Sequence, residues 1–146
     1  IMSLMKESED KALSFIRKVV IYSFLFSLLV SLLIFLLSDF IVNILYGNDF
    51  KLTILLLQIL SILPIIVGLS NITGVQVMMA YDLKKEFSKI IVVIGFLSLL
   101  ISIPLTYFYQ SIGVAISSIL SELFILISIN IFLYKKNIKF MKSRGI

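Results

Sequence analysis

The chain has 146 residues, of which 60% are hydrophobic and 14% charged, with a mean hydropathy of +1.15 and a formal charge of +5. A soluble domain is about 45–50% apolar and about 25% charged, so this chain carries more apolar surface than its own interior can take up, and its composition is that of an integral membrane protein. The absence of Cys and His excludes disulfide frameworks, thiolate and imidazole metal sites, and catalysis that needs a thiol or an imidazole.

Uncharged runs then predict an all-α, polytopic protein with four transmembrane helices in a single membrane domain, residues 1–146. The first span covers about residues 19–37. Arg17 and Lys18 open it and Asp39 closes it. Ser23, Ser27 and Ser31 recur at one-turn spacing along it, and such short side chains let a neighbouring helix approach closely. After it, the segment ending in Leu45-Tyr46-Gly47-Asn48-Asp49-Phe50 reads as a tight elbow. Gly47 can take the left-handed conformation that ends a helix, and Asn48 or Asp49 can cap the next one.

The second span, about residues 54–80, sits in an uncharged run from Leu52 to Tyr81. As one helix that run measures about 45 Å, against a hydrocarbon core of about 30 Å, so it must tilt, bend or project. Pro64 predicts the bend, because it has no N–H to give Leu60 and its ring crowds that carbonyl. Asn71, Thr73 and Gln76 put polar side chains in the inner half of this span, where lipid offers no hydrogen-bond partner. On an ideal helix Thr73 and Gln76 share a face, whereas Asn71 is about 140° from Gln76, so at least two surfaces of the span must meet protein or water. They are candidates either for lining a cavity or for hydrogen bonds between helices. Ser70 with Gly74 adds a further small-residue pair.

The third span, about residues 90–109, holds Pro104 and a weaker small-residue series, Gly95, Ser98 and Ser102. An uncharged turn at Gln110 and Ser111 leads into the fourth span, about residues 112–134. That span has the small series Gly113, Ser117 and Ser121, and it contains an acid, Glu122. An ionised side chain at mid-membrane costs about 2.5–3.5 kcal/mol on insertion scales, so Glu122 must carry a proton or meet a partner. Ser118, one turn away, is placed to donate a hydrogen bond to it. Glu122 is therefore a candidate proton or cation relay, with interhelical packing as the alternative role.

Every Lys and Arg except Lys51 precedes the first span, lies between the second and third, or follows the fourth. Cationic loops stay on the cytoplasmic side, which predicts cytoplasmic termini in a multi-pass membrane protein. The basic residues flank spans rather than form a groove, so no nucleic-acid partner is expected. Tyr46, Tyr81, Tyr107, Tyr109 and Tyr134 stand near span ends, at headgroup depth. No Gly-rich phosphate loop and no pair of carboxylates on one face is found, so neither an enzyme nor a cofactor or metal site is expected.

Three stretches together resemble the C-terminal helices of bacterial lipid-linked oligosaccharide flippases, the polysaccharide or O-antigen branch of the multidrug, oligosaccharidyl-lipid and polysaccharide exporter superfamily. They are Leu45-Tyr46-Gly47 with Phe50, Gly68-Leu69-Ser70-Asn71-Ile72-Thr73-Gly74-Val75-Gln76, and Ile112-Gly113-Val114-Ala115-Ile116 leading to Ser121-Glu122. The resemblance implies a C-terminal fragment of a transporter of some twelve spans, and a larger exporter-type bundle completed by missing N-terminal helices or a partner chain. It also implies an undecaprenyl-diphosphate-linked oligosaccharide as cargo, moved by alternating access for O-antigen, lipopolysaccharide or capsule synthesis. One departure stands out: the family is expected to meet the diphosphate with cationic residues inside the bundle, and no Lys or Arg lies inside these four spans. A cation-coupled multidrug exporter fragment and a self-contained four-helix scaffold remain alternatives.

Overall fold

The computed structural model describes residues 9–47, 49–136 and 138, and every regular element among them is helical. Helix α1 is Glu9–Tyr46, α2 is Lys51–Leu60 and α3 is Leu63–Asn71; α3 continues as a π-helical segment, Ile72–Met78, and α4 is Lys84–Lys135. Helix suits lipid because it satisfies each backbone polar group within its own segment.

Three helical stretches are long and apolar enough to cross a membrane, where four separate spans were expected. The difference lies in α4, which runs for 52 residues with one non-helical residue inside it, Gln110 (φ 49°, ψ −128°). Straight, it would be about 78 Å long. Instead it doubles back, since a Cβ built on Gly113 would strike the backbone of Leu105 and stand 2.9 Å from the Thr106 nitrogen. Farther along, Phe87 and Ile90 of the first arm pack against the cluster that holds Ile129 and Leu133 of the second. The reversal falls at the uncharged turn read from the sequence.

Helix α1 is also longer than the apolar run that announced it, 38 residues from Glu9 to Tyr46. At its end Gly47 has φ +91°, and its N–H donates to the Asn43 carbonyl at 3.1 Å, the left-handed termination expected of it. The expected cap of the next helix is not made. Phe50 occupies the N-cap with no side-chain hydrogen bond, its carbonyl taking the N–H of Thr53 and Ile54, while its ring lies 5.6 Å from that of Tyr46. Asp49 is an exposed turn residue, and Asn48 lies outside the described residues.

The second stretch is interrupted twice. Between α2 and α3, Ser61 folds back on the Gln58 carbonyl through its N–H (3.3 Å) and its hydroxyl (2.6 Å), and α3 restarts with Pro64 in its first turn. Pro64 thus breaks the helix where its missing N–H requires. The second interruption is the wider π turn from Ile72, which no sequence pattern had predicted.

Packing is inverted relative to a water-soluble bundle. Along α1 the buried positions include Ser27, Ser31 and Ser38, whereas Phe26 is 67% and Leu36 64% exposed. Gly68 of α3 sits against the side chain of Ser27, and Gly74 of the π segment against Phe87 and Ile129. Small residues therefore make the helix contacts and large apolar ones face outward, the arrangement that lipid favours. Among the described residues an apolar core cluster forms at one end, where Ile16, Val77, Met78, Ile129 and Leu133 meet. That cluster gathers the basic segments at the same end: Arg17 and Lys18 adjoin Ile16, Lys84 and Lys85 follow Met78, and Lys135 and Lys136 follow Leu133.

Candidate functional site

Glu122 lies on the second arm of α4 and opens into a cleft of about 360 Å³. Leu63 and Val67 of α3 close one side of it, Ser98 and Ser102 of the first arm face it, and Ser117, Ser118 and Ser121 share the wall of Glu122. The reversal at Gln110 is what brings the two serine series together, because it runs the arms antiparallel.

Hydrogen bonding determines what this cleft presents. The Ser117 and Ser118 hydroxyls both donate to the Val114 carbonyl at 2.9 Å, and the Ser102 hydroxyl donates to Leu99 at 3.1 Å. Ser118 therefore does not donate to Glu122, contrary to the sequence expectation, because its own helix carbonyl takes its proton first. With those three protons committed, Ser102, Ser117 and Ser118 present oxygen lone pairs to the cleft, beside the Ser98 and Ser121 hydroxyls and the Glu122 carboxyl group. Glu122 makes no hydrogen bond or ion pair among the described residues, and no Lys or Arg lines the cleft. Such a polar, cation-free lining suits water, a proton or a cation.

The other sequence candidates lie elsewhere. Thr73 is buried and its hydroxyl donates to the Leu69 carbonyl at 2.9 Å, which occupies it in bracing the start of the π segment. Asn71 and Gln76 are exposed on this chain. None of the three lines the Glu122 cleft. Sequence reasoning had assigned Ser117 and Ser121 to packing and had noted Ser98 and Ser102 only as a weak series. The available signal was that two serine pairs at one-turn spacing flank a predicted reversal, which sets them face to face. No group of three or more acids placed to hold a metal ion occurs among the described residues.

A family model described as "Polysaccharide biosynthesis protein" matches residues 2–146. The chain belongs to that family. An Escherichia coli (strain K12) protein named "Putative O-antigen transporter" is 41% identical over 92 residues, which are 63% of this chain and 22% of that protein. The match therefore spans a small part of the relative's length. No solved structure matches. Membership of the polysaccharide biosynthesis family agrees with the resemblance carried by the three sequence stretches, and the outward-facing apolar helices make this member a multi-pass membrane protein.

Proposed function

We propose that the chain is part of a flippase that carries an undecaprenyl-diphosphate-linked oligosaccharide across the bacterial cytoplasmic membrane by alternating access. The observation that carries this reading is the family match along residues 2–146, together with a relative whose name is that of an O-antigen transporter. In this reading the chain crosses the membrane four times, the two arms of α4 counting separately, with the basic end and both termini in the cytoplasm. Glu122 is the relay group, taking up and releasing a proton or cation as its cleft changes sides, while Ser118 supplies an acceptor oxygen to that cleft. The diphosphate is recognised outside this chain, by helices N-terminal to it or in a partner chain, since no cation lines the Glu122 cleft. Thr73 acts in packing, and Asn71 and Gln76 face those additional helices.

The test is complementation of a strain lacking its lipid-linked oligosaccharide flippase, with this chain alone, with a longer version carrying the N-terminal helices, and with Glu122→Gln in the longer version. The longer version restores surface polysaccharide and Glu122→Gln loses it at unchanged protein level. Restoration by Glu122→Gln removes the relay. The cation-free cleft also favours a second reading, a cation-coupled exporter of the same superfamily, and drug resistance without surface polysaccharide in the same strain would select it. Failure of both outputs would leave the scaffold role.

A further inference from the structure

A second cleft, of about 350 Å³, opens between the arms of α4 at the basic end of the bundle. Ile90, Val93 and Ile94 of the first arm and Phe132 of the second make its wall almost wholly apolar, and Lys89 stands at its rim. The Lys136 ammonium lies over the ring of Phe132, a wall residue of this cleft, 6.0 Å from its centroid, so a second cation stands beside the cleft without lining it. No carboxylate pairs with either ammonium among the described residues. Glu86 also borders the cleft, and Lys84, Lys85 and Lys89 lie within three residues of it in sequence, so the local charge is net positive.

An apolar slot of this kind next to two unpaired ammonium groups is complementary to an amphiphile with an anionic head. We infer that this cleft binds an anionic glycerophospholipid, with one acyl chain against Phe132 and Val93 and the phosphate between Lys89 and Lys136. The charge asymmetry of the fold sets the depth, because the cations cluster at the end where a headgroup lies and the apolar wall continues toward the bilayer centre. A bilayer lipid is the occupant because it is present in excess at this surface at all times and needs no delivery. Its effect is to join the two arms of α4 at the end remote from Gln110. The inference is independent of the flippase reading.

Native mass spectrometry of the full chain released from detergent, with phosphatidylglycerol and phosphatidylcholine added in equal amounts, reads the binding directly. Phosphatidylglycerol is expected to be retained preferentially, and the preference to fall about fivefold for each of Lys89→Gln and Lys136→Gln, from roughly 1 kcal/mol per cation near a membrane surface. Lys51→Gln, at the opposite end, removes the same charge and leaves the preference unchanged. Val93→Trp, which fills the slot without altering charge, abolishes retention. Equal retention of the two lipids by the unaltered chain overturns the inference, as does a preference that survives the double lysine variant. Displacement of phosphatidylglycerol by an equal amount of undecaprenyl diphosphate overturns it too, by giving the cleft to a polyprenyl lipid.

Discussion

The Ser31 hydroxyl of α1 donates a hydrogen bond to the Ser61 carbonyl at the interruption between α2 and α3. That carbonyl is free because the helix is broken there: the Ile65 N–H, its partner in an unbroken helix, donates to Ile62 at 3.2 Å instead. In water such a carbonyl would be solvated. In a bilayer a neighbouring helix must satisfy it, and Ser31, buried and opposite, does so. Ser31→Ala is expected to destabilise the bundle by about 0.6 kcal/mol, the average for hydrogen bonds between membrane helices, and by no more than about 1.7 kcal/mol. Thr at the same position keeps the hydroxyl and most of the stability. Unfolding of both variants in mixed micelles checks this, and equal loss in Ala and Thr would show that packing rather than the hydrogen bond matters.

The same interruption shows what could be read in advance. Pro64 removes an N–H by covalent structure, so its effect is local and legible; Gly47 at a left-handed φ is legible for the same reason. Span ends were not legible. Hydropathy registers the thickness of the hydrocarbon core, whereas a helix can project beyond it, as α1 does through Arg17, Lys18 and Asp39. The π turn at Ile72 left no mark in the sequence pattern; in the fold its Gly74 sits against Phe87 and Ile129, which come from α4. Glu122 was recognisable as an acid within an apolar span, but its serine surroundings needed the antiparallel register of the α4 arms. Asn71 and Gln76 were singled out by residue type, and their exposure on this chain is a property of tertiary placement alone.

Three glycines should respond differently to Ala. At Gly113 the new methyl meets the backbone of Leu105 and Thr106, which cannot rotate away, and a cost of about 3 kcal/mol or more is expected. At Gly68 it meets the Ser27 side chain, which can turn, so about 1–2 kcal/mol is expected. At Gly95 nothing lies within 4 Å, and Ala should gain up to about 1 kcal/mol through better helix propensity. The ranking is checked by thermal unfolding of the three variants in one detergent. A destabilising Gly95→Ala would mean that another helix covers that face.

Gln110 holds a positive φ without the glycine that such a backbone favours. Gln110→Gly is expected to relieve about 1 kcal/mol or more of strain, less the entropy that Gly adds to the unfolded chain, whereas the β-branched Gln110→Val should destabilise. The readout is the thermal midpoint together with a disulfide formed between Cys introduced at Ser98 and Ser121, which face the same cleft. If Val lowers the midpoint but leaves the disulfide yield unchanged, the reversal is imposed by packing of the arms and not by Gln110 itself.

The common location of the basic segments predicts a labelling pattern. Ile16, Met78 and Leu133 pack in one cluster, so Asp82 and Lys136 belong to the same end of the bundle, while Asp49 and Gln110, at the far ends of their helices, belong to the other. The chain contains no cysteine, so single Cys substitutions at these four positions can be followed individually. A membrane-impermeant maleimide applied to intact cells, or to spheroplasts where an outer membrane is present, is expected to modify Cys at 49 and 110, and to reach 82 and 136 only after the cytoplasmic membrane is opened. Replacing Lys84, Lys85 and Lys89 together by Gln should blur that distinction, because the positive charge at the start of α4 that would hold this end in the cytoplasm is lost. Labelling of positions 49 and 82 from the same side in the unaltered chain would remove the crossing between them, and with it the orientation on which the proposed relay at Glu122 depends.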